Sequence, residues 1–130
     1  MLDEVYRFLA ERLDSALQYG IARQRIVLDP GFGFGKTVQH NLDLLHGLGH
    51  LRALGQPLLV GTSRKSFLGH VLRRQVWDRL EGTLATVIYA VLHGAVLVRV
   101  HDVAAVARTV RLLEALNSRA EMQPPAHEGD

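Results

Sequence analysis

Three short apolar runs, each followed by a loop of glycine or charge and then by a helix-patterned stretch, constrain this chain more than anything else in it. The runs are Arg25-Ile26-Val27-Leu28-Asp29, Leu58-Leu59-Val60 and Val96-Leu97-Val98-Arg99-Val100. Their β-branched content, with stops at Pro30-Gly31 and Gly61, predicts strands. They recur at spacings of roughly 30 to 40 residues, as βαβ units do, and unbroken apolar runs suit strands covered on both faces. Helical patterns fill the gaps. Leu2, Val5, Leu9, Leu13, Ala16 and Leu17 mark a first helix, stopped by Gly20. Leu44, Leu45, Leu48 and Leu51 mark a second, ended by Gly55 and Pro57. A short helix opens near Ser66, and a longer one runs through Leu84, Val87, Ile88, Val91 and Leu92 to Gly94. The last runs through Val103, Val106, Val110 and Leu113.

One helix, then strand and helix three times, predicts an α/β fold. The expected architecture is a partial TIM (βα)8 barrel, its C-terminal (βα)3 portion preceded by one helix. A full barrel takes about 250 residues, and this chain has 130, so it reads as truncated. From Asn117 the chain turns polar around Pro124-Pro125, which predicts a folded part over 1–116 and a flexible tail over 117–130.

Composition narrows the classes of function. A chain 48% hydrophobic and 22% charged suits one globular unit. With no cysteine there is no disulfide and no thiol nucleophile, and a reducing cytoplasm fits. The opening MLDEVYRFLAERLD carries charges throughout, unlike a signal peptide, and no stretch is apolar enough for a bilayer. Net charge is +2 with scattered basic residues, which argues against a nucleic-acid surface.

Each strand-end loop offers groups for a flat polar ring or an anion. DPGFGFGKT (Asp29 to Thr37) is neither a P-loop, since Pro30 stands where its first glycine belongs, nor a dinucleotide fingerprint, since Lys36 takes the third glycine's place. Its glycines alternate with Phe32 and Phe34, so backbone and aromatic face can both approach a ligand. Asp29 could accept paired hydrogen bonds from an amino-substituted heterocycle such as a pterin or purine. The plainer alternative is an aspartate capping local amides, with both phenylalanines in the core. Ser63-Arg64-Lys65-Ser66 precedes a helix, where free N–H groups favour carboxylates or phosphates; solvated charges at an N-cap are the alternative. Arg99 and His101, two apart on a strand, leave the same face and form a natural phosphate or diphosphate clamp. The alternative for Arg99 is an ion pair, with Asp102 as a candidate partner. His40, His46, His50, His70, His93 and His127 have no metal-ligand spacing.

Together LDPGFGFGK, LLVGTSRKSFLG and VRVHDV resemble dihydropteroate synthase of bacterial folate synthesis. The likeness runs from the first helix to about Leu116; His40-Asn41 and the Arg79-Leu80-x-Gly82-Thr83-Leu84-Ala85 stretch add to it. The resemblance implies a transferase that joins 4-aminobenzoate to 6-hydroxymethyl-7,8-dihydropterin diphosphate, releasing diphosphate. It implies that Asp29, Gly61 and Lys65 bind the pterin, Arg99 and His101 the diphosphate, and Phe34 and Ser66 the aminobenzoate. No side chain acts as a nucleophile; positioning and electrostatics carry the rate. Mg²⁺ is the implied cofactor, with its asparagine ligand in an N-terminal part that these 130 residues do not include. The implied partners are the small-molecule substrates, and the implied full-length assembly is a homodimer. The rival readings are a non-catalytic pterin- and phosphate-binding half-barrel, another pterin-binding barrel such as a methyltetrahydrofolate-dependent methyltransferase, and a module that binds no ligand.

Overall fold

Two parallel strands and a single bridge beside them organise the structure, a computed structural model that describes residues 1–118. In chain order the elements are α1 (Leu2–Gln18), a 3-10 turn (Arg23–Arg25), α2 (Val38–His46), α3 (Leu48–Arg52), β1 (Leu58–Val60), α4 (Ser66–Leu72), α5 (Leu80–Leu92), β2 (Ala95–Val98) and α6 (Val103–Ser118). β1 pairs in parallel with β2, and Leu28 bridges in parallel to Leu58 on the other side of β1. All three apolar runs therefore lie side by side, in chain order and pointing the same way.

The first run is not a strand along its length. Arg23–Arg25 coils into the 3-10 turn, and only Leu28 enters the ladder, donating to Pro57 O (2.9 Å) and accepting from Leu59 N (2.8 Å). In this parallel register the next bond would need an N–H from Pro57 to Ile26 O, and proline has none, so the buried amide of Gln56 takes that place. Its Nε2 donates to the carbonyls of Arg23 and Ile26, each at 2.8 Å, and its Oε1 accepts from Arg23 at 3.1 Å. A side chain thus satisfies carbonyls that the ladder does not reach. The third run starts one residue early, at Ala95, and its strand ends at Val98. Arg99 N still donates to Val60 O at 3.0 Å, but His101 N turns to the Ser63 hydroxyl and the ladder stops.

The single helix expected over Leu44–Leu51 is two, broken at Gly47. A Cβ at Gly47 would lie 2.4 Å from Leu2 Cδ2, so the missing side chain lets α1 close onto the break. α2 starts where Thr37 accepts from His40 N (3.1 Å) while His40 Nδ1 accepts from Thr37 N (3.4 Å), a capping box. α6 continues through Asn117 and Ser118, which the sequence assigns to the tail; the rest of that tail lies outside the described residues.

One hydrophobic cluster joins these elements: Leu9 of α1, Leu28, Phe32, Leu44, Leu48, Leu51, Leu58, Val60, Phe67 and Ala90. Leu58 and Val60 point into it. Leu59 points the opposite way, with Leu97 paired beside it and Val27 beyond, and on that face the side chains are half-buried or exposed. The pairing skips Val96, because Leu58 matches Ala95 while Leu59 matches Leu97, and Val96 is left 71% exposed. Among the described residues no helix is long and apolar enough to cross a membrane.

Candidate functional site

Because the three runs are parallel, the loops that follow them emerge at one end. After Leu28 the chain enters the glycine loop, in which Gly31, Gly33 and Gly35 adopt φ of 75°, 83° and 61°, a region where any other residue is strained. The alternation of glycine and phenylalanine separates two fates: Phe32 is fully buried, whereas Phe34 is 72% exposed. Neither alternative for the two rings holds for both. Asn41, itself buried, fixes the loop by accepting from Gly33 N at 2.7 Å and donating to Thr37 O at 2.8 Å. Lys36 Nζ donates back to Gly31 O (2.7 Å) and Phe34 O (3.2 Å).

Asp29 caps its own loop, accepting from Gly31 N at 2.9 Å, and its other oxygen pairs with Arg99 Nη1 at 3.1 Å across seventy residues of sequence. The ion-pair partner of Arg99 is thus Asp29 and not Asp102, whose carboxylate takes two hydrogen bonds from Arg64 at 2.9 and 3.3 Å. Those bonds hold the Asp102 carboxyl below the usual carboxylate range. The Arg64–Asp102 clasp therefore survives until pH falls below the ordinary aspartate range. It ties the second loop to the third. Arg64 itself sits at φ 56°, held there as its N–H donates to Thr83 Oγ1 (3.2 Å) and its carbonyl accepts from Arg79 (2.8 Å).

Lys65 reaches from the start of α4 to donate to Phe32 O, with its ammonium 4.8 Å from the Phe34 ring centroid. Burial first, then the nearby Arg99 and Lys36 charges, lower its pKa, with Asp29 opposing them. Burial likewise lowers that of Lys36 against the pull of Asp29. Arg99 and His101 sit in the loop just past β2 instead of on the strand, yet both line one cavity of about 240 Å³ with Gly61, Ser63, Lys65 and Val100. A second cavity, about 460 Å³, lies between α1 and the glycine loop and is lined by Asp29, Phe34 and Lys36 among others. The Asp29–Arg99 pair joins the two. Ser66 opens α4 on an exposed turn and lines neither.

Asp29, Gly61, Lys65, Arg99 and His101 are thus brought together, with Phe34 at their edge and Ser66 apart. Sequence reasoning missed Lys36 and Ser63, which bind only loop backbone and His101; the signal available was their position inside two strand-end loops. Gly61 has a steric role. A Cβ there would lie 2.7 Å from Arg99 Nη2, so the guanidinium occupies space that any larger residue would claim. Gly61→Ala is expected to displace the exposed, flexible guanidinium without unfolding the chain. Differential scanning calorimetry should find an unchanged Tm.

The donor set is cationic, and among the described residues no group of three His, Asp or Glu side chains comes together for a metal. The carboxylates beside these groups, Asp29 and Asp102, are already held by Gly31 and Arg99 and by Arg64. These residues do not fit a Mg²⁺ site.

The described residues thus form a parallel α/β unit whose strand-end loops gather Asp29, Lys65, Arg99 and His101 beside Gly61. The family model described as "Pterin binding enzyme" matches residues 1–101, and the chain belongs to that family. It is 43% identical over 118 residues to dihydropteroate synthase of Escherichia coli K12, covering 91% of this chain and 42% of that protein. It is 47% identical over 118 residues to the enzyme of Neisseria meningitidis serogroup C, covering 89% and 42%. The solved dihydropteroate synthase of Xanthomonas albilineans in complex with 7,8-dihydropteroate superposes with a TM-score of 0.88 at 42% identity, over 90% of this chain and 45% of that one. The chain thus spans less than half the length of these relatives.

Proposed function

We propose that these residues supply the pterin and diphosphate side of a dihydropteroate synthase site. The reaction condenses 4-aminobenzoate with 6-hydroxymethyl-7,8-dihydropterin diphosphate to give 7,8-dihydropteroate and diphosphate. The observation that carries the proposal is the convergence of Asp29, Lys65, Arg99 and His101 at the ends of three parallel runs. Identity above 40% to dihydropteroate synthases supports it. Asp29 accepts hydrogen bonds from the pterin's amino-pyrimidinone edge, Lys65 borders that ring, and Gly61 keeps the floor open. Arg99 and His101 hold the diphosphate. As the bond from the pterin methylene to diphosphate oxygen breaks, negative charge grows on the leaving group beside these donors. The aminobenzoate nitrogen forms the new bond to the methylene and releases its proton to solvent. Phe34, with its ring exposed, packs on the aminobenzoate, and Ser66 receives the carboxylate at the start of α4. The Mg²⁺ that such enzymes use would have its ligands outside the described residues.

The same reading makes the unit the C-terminal (βα)3 part of a TIM barrel. Its support is the sheet face of Val27, Leu59 and Leu97, which the helices leave open and which a closed barrel would fill with side chains from further strands. A homodimer and a cytoplasmic setting belong to the proposal on the strength of the resemblance. The test is calorimetry with inorganic diphosphate. Arg99→Ala is expected to weaken binding at least tenfold, since a charge-assisted hydrogen bond contributes about 1.5–3 kcal/mol. Unchanged affinity would reduce Arg99 to a structural partner of Asp29.

A further inference from the structure

Ser63 is almost wholly buried, and its hydroxyl meets His101 twice. The backbone N–H of His101 donates to Ser63 Oγ at 3.1 Å, and Oγ lies 2.8 Å from the ring's Nδ1. An oxygen that has accepted from a backbone amide still has one proton to give, and Nδ1 lies where that proton can be taken. If Nδ1 carried the proton instead, Oγ would accept twice and its own proton would need another acceptor in a buried position. We infer that Ser63 is a positioning residue for the proposed diphosphate clamp: its hydroxyl donates to Nδ1 and fixes neutral His101 as the Nε2–H tautomer. The ring's free edge then offers an N–H donor beside Arg99 and Lys65, which line the same cavity.

The charged groups around the ring agree with a donor there. Arg99 precedes it by two residues, and Lys65 approaches from the start of α4. Asp102, the adjacent carboxylate, is occupied by Arg64 and leaves Nδ1 to the serine. A bare Nε2 would set a lone pair toward an incoming phosphate oxygen and repel it, so the tautomer decides whether the imidazole aids or opposes the anion. The inference rests on the proposed function for its ligand, though not for its geometry.

The experiment is ¹⁵N-histidine NMR on the 130-residue chain at alkaline pH, where imidazoles are neutral, with His101 assigned by His101→Gln. Titration with inorganic diphosphate runs in parallel. The expected result is an unprotonated Nδ1 and a protonated Nε2 in the wild type. Ser63→Ala should mix the tautomers and weaken diphosphate several-fold, and Ser63→Thr, which keeps the hydroxyl, should restore both. A wild-type ring protonated on Nδ1 overturns the inference whatever the variants do. So does a Ser63→Ala ring that keeps the Nε2–H form. If the wild type has the expected tautomer but no affinity for diphosphate, the clamp fails and the proton's location stands.

Discussion

Phe32→Ala is expected to cost about 3–5 kcal/mol, out of a total stability that for a domain of this kind is about 5–15 kcal/mol. Phe32 has no exposed surface and packs in the cluster that joins α1, α2, α3 and the strands. Its backbone carbonyl also receives Lys65, so collapse around the vacated volume would pull on the loop that carries Asp29. Phe34→Ala, two residues on, removes a ring of the same size that is 72% exposed, and should move stability by about 0.5 kcal/mol or less. Urea unfolding followed by circular dichroism measures both. Equal losses at the two positions would mean that the loop's aromatic rings share one role.

That contrast also locates the limit of sequence reading. Period and punctuation identified α1, α4, α5 and the parallel runs, because apolar spacing and glycine stops are local. They did not separate Phe32 from Phe34, since alternation assigns opposite faces without saying which is inside. The break at Gly47 was hidden by the unbroken leucine pattern on either side, and its reason lies in Leu2, far away in sequence. The first run read as a strand because its composition is a strand's, while Pro57 lacks the N–H that would extend the ladder and Gln56 binds Ile26 O instead. The site residues were legible as loop motifs. Their partners were not: Asp29 with Arg99, Arg64 with Asp102 and Ser63 with His101 are all contacts that folding alone creates.

The 130-residue polypeptide is expected to self-associate as its concentration rises. Among the described residues β2 is bonded on one side only, and its irregular pairing leaves Val96 71% and Leu97 44% exposed. An exposed apolar edge strand offers unpaired N–H and C=O groups to any similar edge, and natural sheets blunt such edges with lysine. Sedimentation velocity should find oligomers that grow with loading, and Val96→Lys should shift the population toward monomer. A wild-type chain that stays monomeric across the concentration series would mean that this edge is already protected.

The pairing of Asp29 with Arg99 makes these two side chains compete with any ligand that needs either of them. On the proposed function, a diphosphate that draws Arg99 away strips Asp29 of its counter-charge, and a pterin edge that engages Asp29 releases Arg99 toward the anion. Each half of the substrate therefore raises the affinity for the other, by the same factor in both directions, as thermodynamic linkage requires. A molecule that carries both halves breaks one internal contact and replaces it at both ends. A free pterin or a stray phosphate must break that contact and leave one charge behind. On the proposed function, the Asp29–Arg99 salt bridge thus favours the intact bifunctional substrate over either piece alone.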